Sequence, residues 1–381
     1  MITPLRPRPR ALEFFAGVGL ARLGLEDAGF DVVWANDYEP DKHAMYSRQF
    51  GDEGHEYVVG DVGNVAAADL PDDIALAWAS SPCTDLSLAG TRTGLSGRES
   101  SAFWSWVDVL RAMEQPPEIV VLENVIGLAT SHAGDDLRAA IRALNALDYS
   151  IDLLALDARR FVPQSRPRMF LVGLKHPPTG EADAVSSELR PDWAQQFYAD
   201  DSLRMHRAPL PAPPPFLLDG FGEVVERMAL SDERWWDAAR TEAFVRSLSP
   251  MQRERLRELR RSAGVKHRTA YRRTRNGVAV WEVRADDVAG CLRTARGGSS
   301  KQAVVRLGNG RLKVRWMTPL EYARLMGAGD YDLTGARTNQ ALFAFGDAVA
   351  APAVAWLAHE YLVPHLQGRW QTAHALEERL A

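Results

Sequence analysis

From residue 11 onward, short apolar runs alternate with amphipathic stretches. ALEFFAG has the pattern of a strand ending in a turn, and LARLGLEDAG that of a helix closed by Gly29. FDVVWAN predicts a second strand, PDKHAMYSRQF a helix, EYVVGD a short strand and IALAWAS an apolar strand. A loop rich in Gly, Ser and Thr follows over residues 84–101, then the helix AFWSWVDVLRAM and the strand EIVVLEN. A helix near 135–147 precedes two β-rich segments, YSIDLLALD and PRMFLVGL. Strands alternating with helices predict a mainly parallel sheet covered on both faces, an arrangement that places its sites at the carboxyl ends of the strands.

Near residue 175 the pattern lapses. HPPTGEADAVSSELRPDW and APLPAPPPF are proline-rich and aperiodic, which predicts a boundary and a surface connection. A less regular region follows, and helical periodicity resumes at MTPLEYARLMG. The last part, FGDAVAAPAVAWLAHEYL, has the pattern of one apolar helix returning to the first domain. The expected organisation is a first domain over 11–175, a second region over 176–315 and carboxyl-terminal helices over 316–381 that complete the first domain.

Composition changes this picture little until it is divided along the chain. The 381 residues are 46% apolar and include two cysteines, Cys83 and Cys291, too few for a disulfide framework. The start MITPLRPRPR lacks the apolar core of a signal peptide, and no window has about 18 consecutive apolar residues, so a cytoplasmic protein without a membrane partner is expected. The net charge is −5, yet residues 251–320 hold 18 Lys and Arg against 5 Asp and Glu, a local net of +13. MQRERLRELRRSA can be a solvated helix face, but the basic excess continues through KHRTAYRRTRNG with Tyr271 and Trp281 interleaved. A basic surface of that length is a candidate for binding phosphates.

Four short segments carry candidate chemistry. FAGVG, Phe15 to Gly19, lies at the first strand-to-helix junction and is either a tight turn or a ligand loop. Asp37, 20 residues after Gly17, ends the second strand, where a carboxylate can bind ribose hydroxyls. Arg22 stands where a dinucleotide fingerprint has Gly, so a cofactor with a carboxylate and no phosphate, such as S-adenosylmethionine, fits the loop better than NAD. Asp61 can reach an adenine amine or cap a helix. Cys83, after Pro82, opens a polar loop where a thiolate can be stabilised, which makes it a candidate nucleophile. Glu123 closes an apolar strand and is either a proton donor or a salt-bridged carboxylate beside a capping Asn124. Gln164, Arg166 and Arg168 alternate, which predicts that all three point the same way.

Taken in order, FAGVG, the acidic residue of WAND, Pro-Cys followed by Ser87 and Gly90, ENV, Q-x-R-x-R, RTARGGSSKQ, TPLEYARLMG and GDAV resemble the DNA (cytosine-5) methyltransferase family over about residues 11–362. The resemblance implies a Rossmann-like α/β methyltransferase domain with a smaller, irregular target-recognition domain. It implies that the Cys83 thiolate adds to C6 of cytosine, that Glu123 engages N3, that Arg168 holds O2 and that Arg166 supports the cysteine's surroundings. It also implies that the target base is flipped out and covered by the 84–101 loop, with Arg92, Ser96 and Arg98. S-adenosylmethionine is then held by Phe15, Gly17 and Gly19 at its methionine part, Asp37 at the ribose, Tyr38 on adenine, Asp61 and Val62 near the adenine amine, and Pro82 by the sulfonium. Asp347, Ala348 and Val349 complete that pocket. Contacts to DNA are expected from Ser87, Arg92, Arg98, Gln164, Arg272, Arg273, Arg296, Gly297 and Gly298. Thr84 and Asp347 depart from the usual Gln or Asn and Asn of the family.

The implied partners are duplex DNA and, in function rather than by contact, a cognate restriction endonuclease, with the chain acting as a monomer. Three alternatives stay open. A tRNA cytosine methyltransferase shares such a domain, although the Cys-Phe-Thr signature is absent. A thymidylate-synthase-like enzyme also uses Pro-Cys. The third is a DNA-binding relative without activity.

Overall fold

Seven of the apolar runs pair into one sheet in the computed structural model, which describes residues 8–82, 101–178, 187–275, 277–293 and 301–368. The strands are β1 (Arg10–Phe14), β2 (Asp31–Asp37), β3 (Glu56–Val59), β4 (Ile74–Ser80), β5 (Ile119–Asn124), β6 (Ser150–Asp157) and β7 (Pro167–Leu174), in the order β3-β2-β1-β4-β5-β7-β6. The first five run parallel, whereas β7 is antiparallel to both β5 and β6. Only nine residues, 158–166, separate β6 from β7, too few for a parallel crossover. Helices α1 (Leu20–Asp27), α2 (Pro40–Phe50), α3 (Ser101–Ala112), α4 (Gly127–Thr130), α5 (Asp135–Asn145) and α6 (Asp192–Tyr198) accompany the sheet. Trp78 and Val121, at the centre of β4 and β5, are wholly buried, as the continuous apolar sequence of a sheet covered on both faces requires.

The chain divides into two compact units, and the boundary at Pro213 and Pro214 falls within the proline-rich APLPAPPPF, not near residue 175. One comprises 1–157, 167–213 and 351–381; the other comprises 158–166 and 214–350. Residues 187–213 stay with the first unit because a buried carboxylate holds them there. Asp152 of β6 is fully buried and accepts from Arg190 Nε at 2.8 Å, Tyr198 Oη at 2.6 Å, the Ala208 amide at 2.9 Å and Tyr361 Oη at 3.1 Å. His206 completes the group through Tyr361 Oη at 2.8 Å. Burial alone would raise the Asp152 carboxyl, but the Arg190 guanidinium and the Tyr198 hydroxyl hold it below the usual carboxylate range.

The second unit contains α7 (Phe221–Val224), α8 (Ala238–Ser247), α9 (Pro250–Arg261), an antiparallel sheet of β8 (Lys266–Arg275), β9 (Val278–Val283), β10 (Ala303–Gly308) and β11 (Arg311–Trp316), then α10 (Pro319–Leu325) and α11 (Thr338–Asp347). The strand order is β11-β10-β8-β9. One sheet face meets α8 and α9 in a core that includes Phe244, Leu256, Val305 and Val314. Trp236, Trp281 and Trp316 stand with ring centroids 5.3–5.5 Å apart in this core. The segment TPLEYARLMG belongs here and not to the first unit, because Glu321 forms a fully buried, two-point ion pair with Arg315 and also accepts the Glu226 amide at 2.8 Å.

The expected single helix at the carboxyl end is two. Helix α11 stops at Asp347, Ala348 is extended with ψ 161°, and α12 (Ala351–Leu357) rejoins the first unit, followed by a π-helical turn and α13 (Val363–Leu366). Thr338–Leu366 is apolar and long enough to cross a membrane by composition, yet 67% of its most apolar window is buried inside the protein. Helix α12 lies directly on α1, where a Cβ at Gly24 would come within 2.5 Å of the Ala351 carbonyl oxygen.

Two stability tests arise from the buried carboxylates. Glu321→Gln leaves Arg315 with an uncompensated buried charge and should cost about 3–5 kcal/mol in urea unfolding. The apolar pair Arg315→Met/Glu321→Leu should lose less than either single change, and an equal or larger loss would contradict this account. Because the folded Asp152 carboxyl lies below its unfolded value of about 3.9, its contribution is complete above that pH and disappears as pH falls through the folded value. Asp152→Asn should therefore flatten the acid limb of the stability curve below about pH 4 while lowering stability at neutral pH.

Candidate functional site

Parallel pairing fixes what shares the carboxyl edge of the sheet. Phe14 pairs with Asn36 of β2 and Ala79 of β4, while Ser80 of β4 pairs with Glu123 of β5. The chain therefore leaves the sheet at Phe15, Asp37, Pro82 and Glu123 along one edge, where sites of such sheets lie.

At the first of these exits the backbone is left-handed three times, at Phe15 (φ 57°), Gly17 (φ 58°) and Gly19 (φ 75°). A bulky residue such as Phe15 adopts this conformation at a cost, and such costs cluster at ligand sites. Gly19 has no substitute, since a Cβ would meet the Phe50 ring at 2.4 Å and that of Tyr46 at 2.7 Å. The Gly17 amide donates to Asp37 Oδ2 at 2.9 Å, the Glu39 amide donates to Asp37 Oδ1 at 3.0 Å, and Tyr57 Oη donates to the Gly17 carbonyl at 3.0 Å. Burial raises the Asp37 carboxyl, with the Lys42 ammonium at 3.8 Å opposing. Each Asp37 oxygen keeps a second lone pair for a hydroxyl donor.

Tyr38, next in the chain, is 54% exposed, an aromatic face left outside the core. Asp61 takes the capping role: its Oδ1 accepts the Gly63 amide at 2.8 Å and closes a short helical turn over Val62–Asn64, with Val62 buried. Arg22, the departure from the dinucleotide pattern, is packed under the loop. It reaches Glu26 at 2.6 Å and Tyr46 Oη at 3.0 Å, and it stacks on the Phe50 ring at 4.3 Å. The sequence reading passed over Glu13, a buried carboxyl inside β1 that accepts the Arg22 amide at 3.2 Å and that burial pushes up to about 8. Its signal was a charged residue within the apolar run LEFF. The left-handed loop, the buried acceptor Asp37 and the exposed Tyr38 ring fit a nucleoside cofactor without a phosphate chain.

At the fourth exit Glu123, 6% exposed, pairs with Arg168 of β7, Nε to Oε1 2.9 Å. Of the two readings open for Glu123, the structure has the salt-bridged one. Asn124 beside it, also passed over as a site residue, donates from Nδ2 to the Ser81 carbonyl at 3.3 Å and accepts the Val125 amide at 2.8 Å. Cys83 lies outside the described residues, as do Ser87, Arg92, Arg98, Arg296, Gly297 and Gly298.

The alternating Gln164, Arg166 and Arg168 do not act as one face. Gln164 is fully buried in the second unit, donating to the Leu325 carbonyl at 2.7 Å and accepting the Leu292 amide at 2.9 Å, which leaves it no surface for DNA. Arg166 is equally buried and donates to the carbonyls of Leu292 at 2.7 Å, Gly346 at 3.0 Å and Ala348 at 2.5 Å, so it holds backbone in place. Cys291 is half-buried with its sulfur 3.3 Å from the same guanidinium. Asp347 and Val349 lie in that unit too, the former exposed and the latter buried. The DNA candidates Arg272 and Arg273 part company because neighbours on a strand face opposite ways. Arg272 lies over the Trp281 and Trp316 rings of the core face, at 5.7 and 6.0 Å, and is partly exposed. Arg273 is on the outer face, 3.2 Å from Glu282 and half exposed.

Comparison with known proteins supplies the context for this edge. Type II methyltransferase M.Bsp6I of Bacillus sp. (strain RFL6) is 33% identical over 167 residues, 42% of this chain and 51% of the relative. M.NlaX of Neisseria lactamica is 33% identical over 203 residues, 51% of this chain and 64% of that protein. The chain thus spans about half to two thirds of the length of such curated relatives. Among solved structures, the Dnmt2 methyltransferase of S. pombe matches with a TM-score of 0.60 at 18% identity, over 94% of this chain and 99% of its own. The Entamoeba histolytica methyltransferase EhMeth matches with a TM-score of 0.61 at 14% identity, over the same shares of the two chains. Both share the fold. The model of the C-5 cytosine-specific DNA methylase family matches residues 10–362, nearly the whole sequence, and the chain belongs to that family.

Proposed function

We propose that the chain is a DNA (cytosine-5) methyltransferase that methylates C5 of a cytosine flipped out of a specific duplex sequence. The observation that carries this reading is the contact of Glu123 with Arg168 at the edge where the chain leaves the sheet at Pro82. Cytosine presents N3 and O2 as adjacent atoms, so a carboxyl and a guanidinium held side by side match that pair. Arg168 holds O2, and Glu123 engages N3 and the neighbouring amine, drawing electron density out of the ring. The Cys83 thiolate then adds to C6, the C5–C6 π bond breaks, and its electron pair becomes nucleophilic at C5. When bound, S-adenosylmethionine would supply an electrophilic methyl group, its S–CH3 bond breaking as C5 is methylated and S-adenosylhomocysteine departing as a neutral thioether. After transfer, C5 loses its proton to a base and the thiolate leaves C6, restoring the double bond and the free enzyme.

Asn124 fixes the Ser81 carbonyl and with it the strand exit that leads to Pro82 and Cys83. In this reading Phe15, Gly17 and Gly19 cradle the methionine part of the cofactor, Asp37 accepts the ribose hydroxyls, and Tyr38 stacks on adenine. The Oδ2 of Asp61 remains to meet the adenine amine. The relatives' name, Type II methyltransferase, supports a place beside a restriction endonuclease acting on cellular DNA.

The test is label transfer from methyl-labelled S-adenosylmethionine. DNA cytosine should be labelled, and Cys83→Ala should abolish transfer. Label appearing in tRNA but not in DNA would overturn the proposal. Glu123→Gln should lower kcat about 10²–10⁴-fold, the range for a positioned acid or base, with DNA binding retained. Duplex containing 5-fluorocytosine should trap the enzyme in a denaturant-resistant complex, since fluorine at C5 cannot depart as a proton does. Recovery of only dissociable complexes would count against Cys83 as nucleophile.

A further inference from the structure

The four-stranded sheet of the second unit has a second face, turned away from α8 and α9, that the proposed chemistry does not use. Side chains alternate along each strand, and Val305, Leu307 and Val314 point into the core. Arg306 and Lys313 therefore lie on the outer face. The register sets them directly opposite each other, Arg306 against Lys313 on β11 and against His267 on β8. One row further in, Val304, Thr269 and Arg315 are wholly buried, with Arg315 neutralised by Glu321. One row further out, Arg311 stands exposed opposite Gly308.

Like charges placed directly across neighbouring strands destabilise a sheet, so this row needs a reason. Several other arginines of the unit show the usual remedy. Arg268 pairs with Asp287, Arg273 with Glu282, Arg284 with Asp286 and Arg257 with Glu254. Arg306, Lys313 and Arg311 have no carboxylate partner among the described residues. His267 limits the repulsion by remaining neutral: burial, and then the Arg306 charge, push its imidazole down to about 4. Two permanent cations, joined by an exposed third, form a cationic ridge that can follow a polyanion.

We propose that Arg306, Lys313 and Arg311 form a phosphate-binding ridge for the DNA backbone, a placement that rests on the DNA-methyltransferase reading and assigns duplex contact to this sheet face. Phosphate contacts position a protein and carry no sequence information, so the ridge sets affinity and register while base readout lies elsewhere.

The experiment is equilibrium binding of the full chain to duplex DNA of random sequence across a salt series. Each lost phosphate contact reduces the slope of log K against log salt by about 0.9, so Arg306→Gln/Lys313→Gln should flatten it by about 1.8. Arg306→Lys/Lys313→Arg should restore the parent slope, which separates charge from folding. Arg257→Gln, on α9 across the core from this face, should leave the slope alone. An unchanged slope in the double variant, or a loss confined to Arg257→Gln, would overturn the inference, and in a parent that methylates DNA would leave the proposed activity standing. A flattened slope in a protein that binds DNA but transfers no methyl group would support the ridge and overturn the proposed activity.

Discussion

A single buried carboxylate does most to make one unit out of three separate stretches of chain. Asp152 sits in the edge strand β6 with no solvent contact, and its partners come from Arg190, Tyr198 and Ala208 in the middle of the sequence and from Tyr361 near its end. A buried charge tolerates no missing partner, because an unsatisfied one costs far more than an exposed pair gains. The insertion of the second unit between residues 213 and 351 is compatible with the first only if the chain returns to meet this demand. Helix α12, laid against the glycine-thinned surface of α1, is the apolar half of that return.

The edge that carries the site is a consequence of strand direction. Parallel β1, β2, β4 and β5 deliver Phe15, Asp37, Pro82 and Glu123 to one side because each strand ends there. Arg168 is at the start of its strand and would lie on the opposite side if β7 ran parallel. Its antiparallel course, forced by the nine-residue link from β6, brings a strand entrance to the edge where the others exit. Glu123 thereby gains a cation at 2.9 Å from a residue 45 positions later in the sequence.

The second unit uses charge in two distinct ways. On its inner face arginine serves as packing: Arg240 lies 4.2 Å from the Trp236 ring centroid, and Arg272 covers Trp281 and Trp316. These side chains contribute apolar stems and cation–π contact more than field. On the outer face Arg306 and Lys313 contribute field and little packing. A basic count over residues 251–320 merges the two classes, because one-dimensional sequence does not say which neighbour on a strand faces inward until register is known.

Periodicity and local chemistry alone were enough for the seven strands and most of the helices up to residue 174, for the glycine turn at Phe15–Gly19 and for a carboxylate, Asp37, at the end of the second strand, since each is decided by residues close in sequence. The same holds for helix α9, which the capping Ser249 and Pro250 start as the periodicity required. Tertiary structure decided what depends on distant partners: that Gln164 and Arg166 are buried among backbone carbonyls, that Arg168 meets Glu123, that residues 187–213 belong with β6, and that the carboxyl-terminal apolar run breaks at Ala348. A guanidinium or an amide is equally at home in water and in a cage of carbonyls, so its residue type leaves its place open. Burial, register and strand direction settle it, and these exist only once the chain has folded.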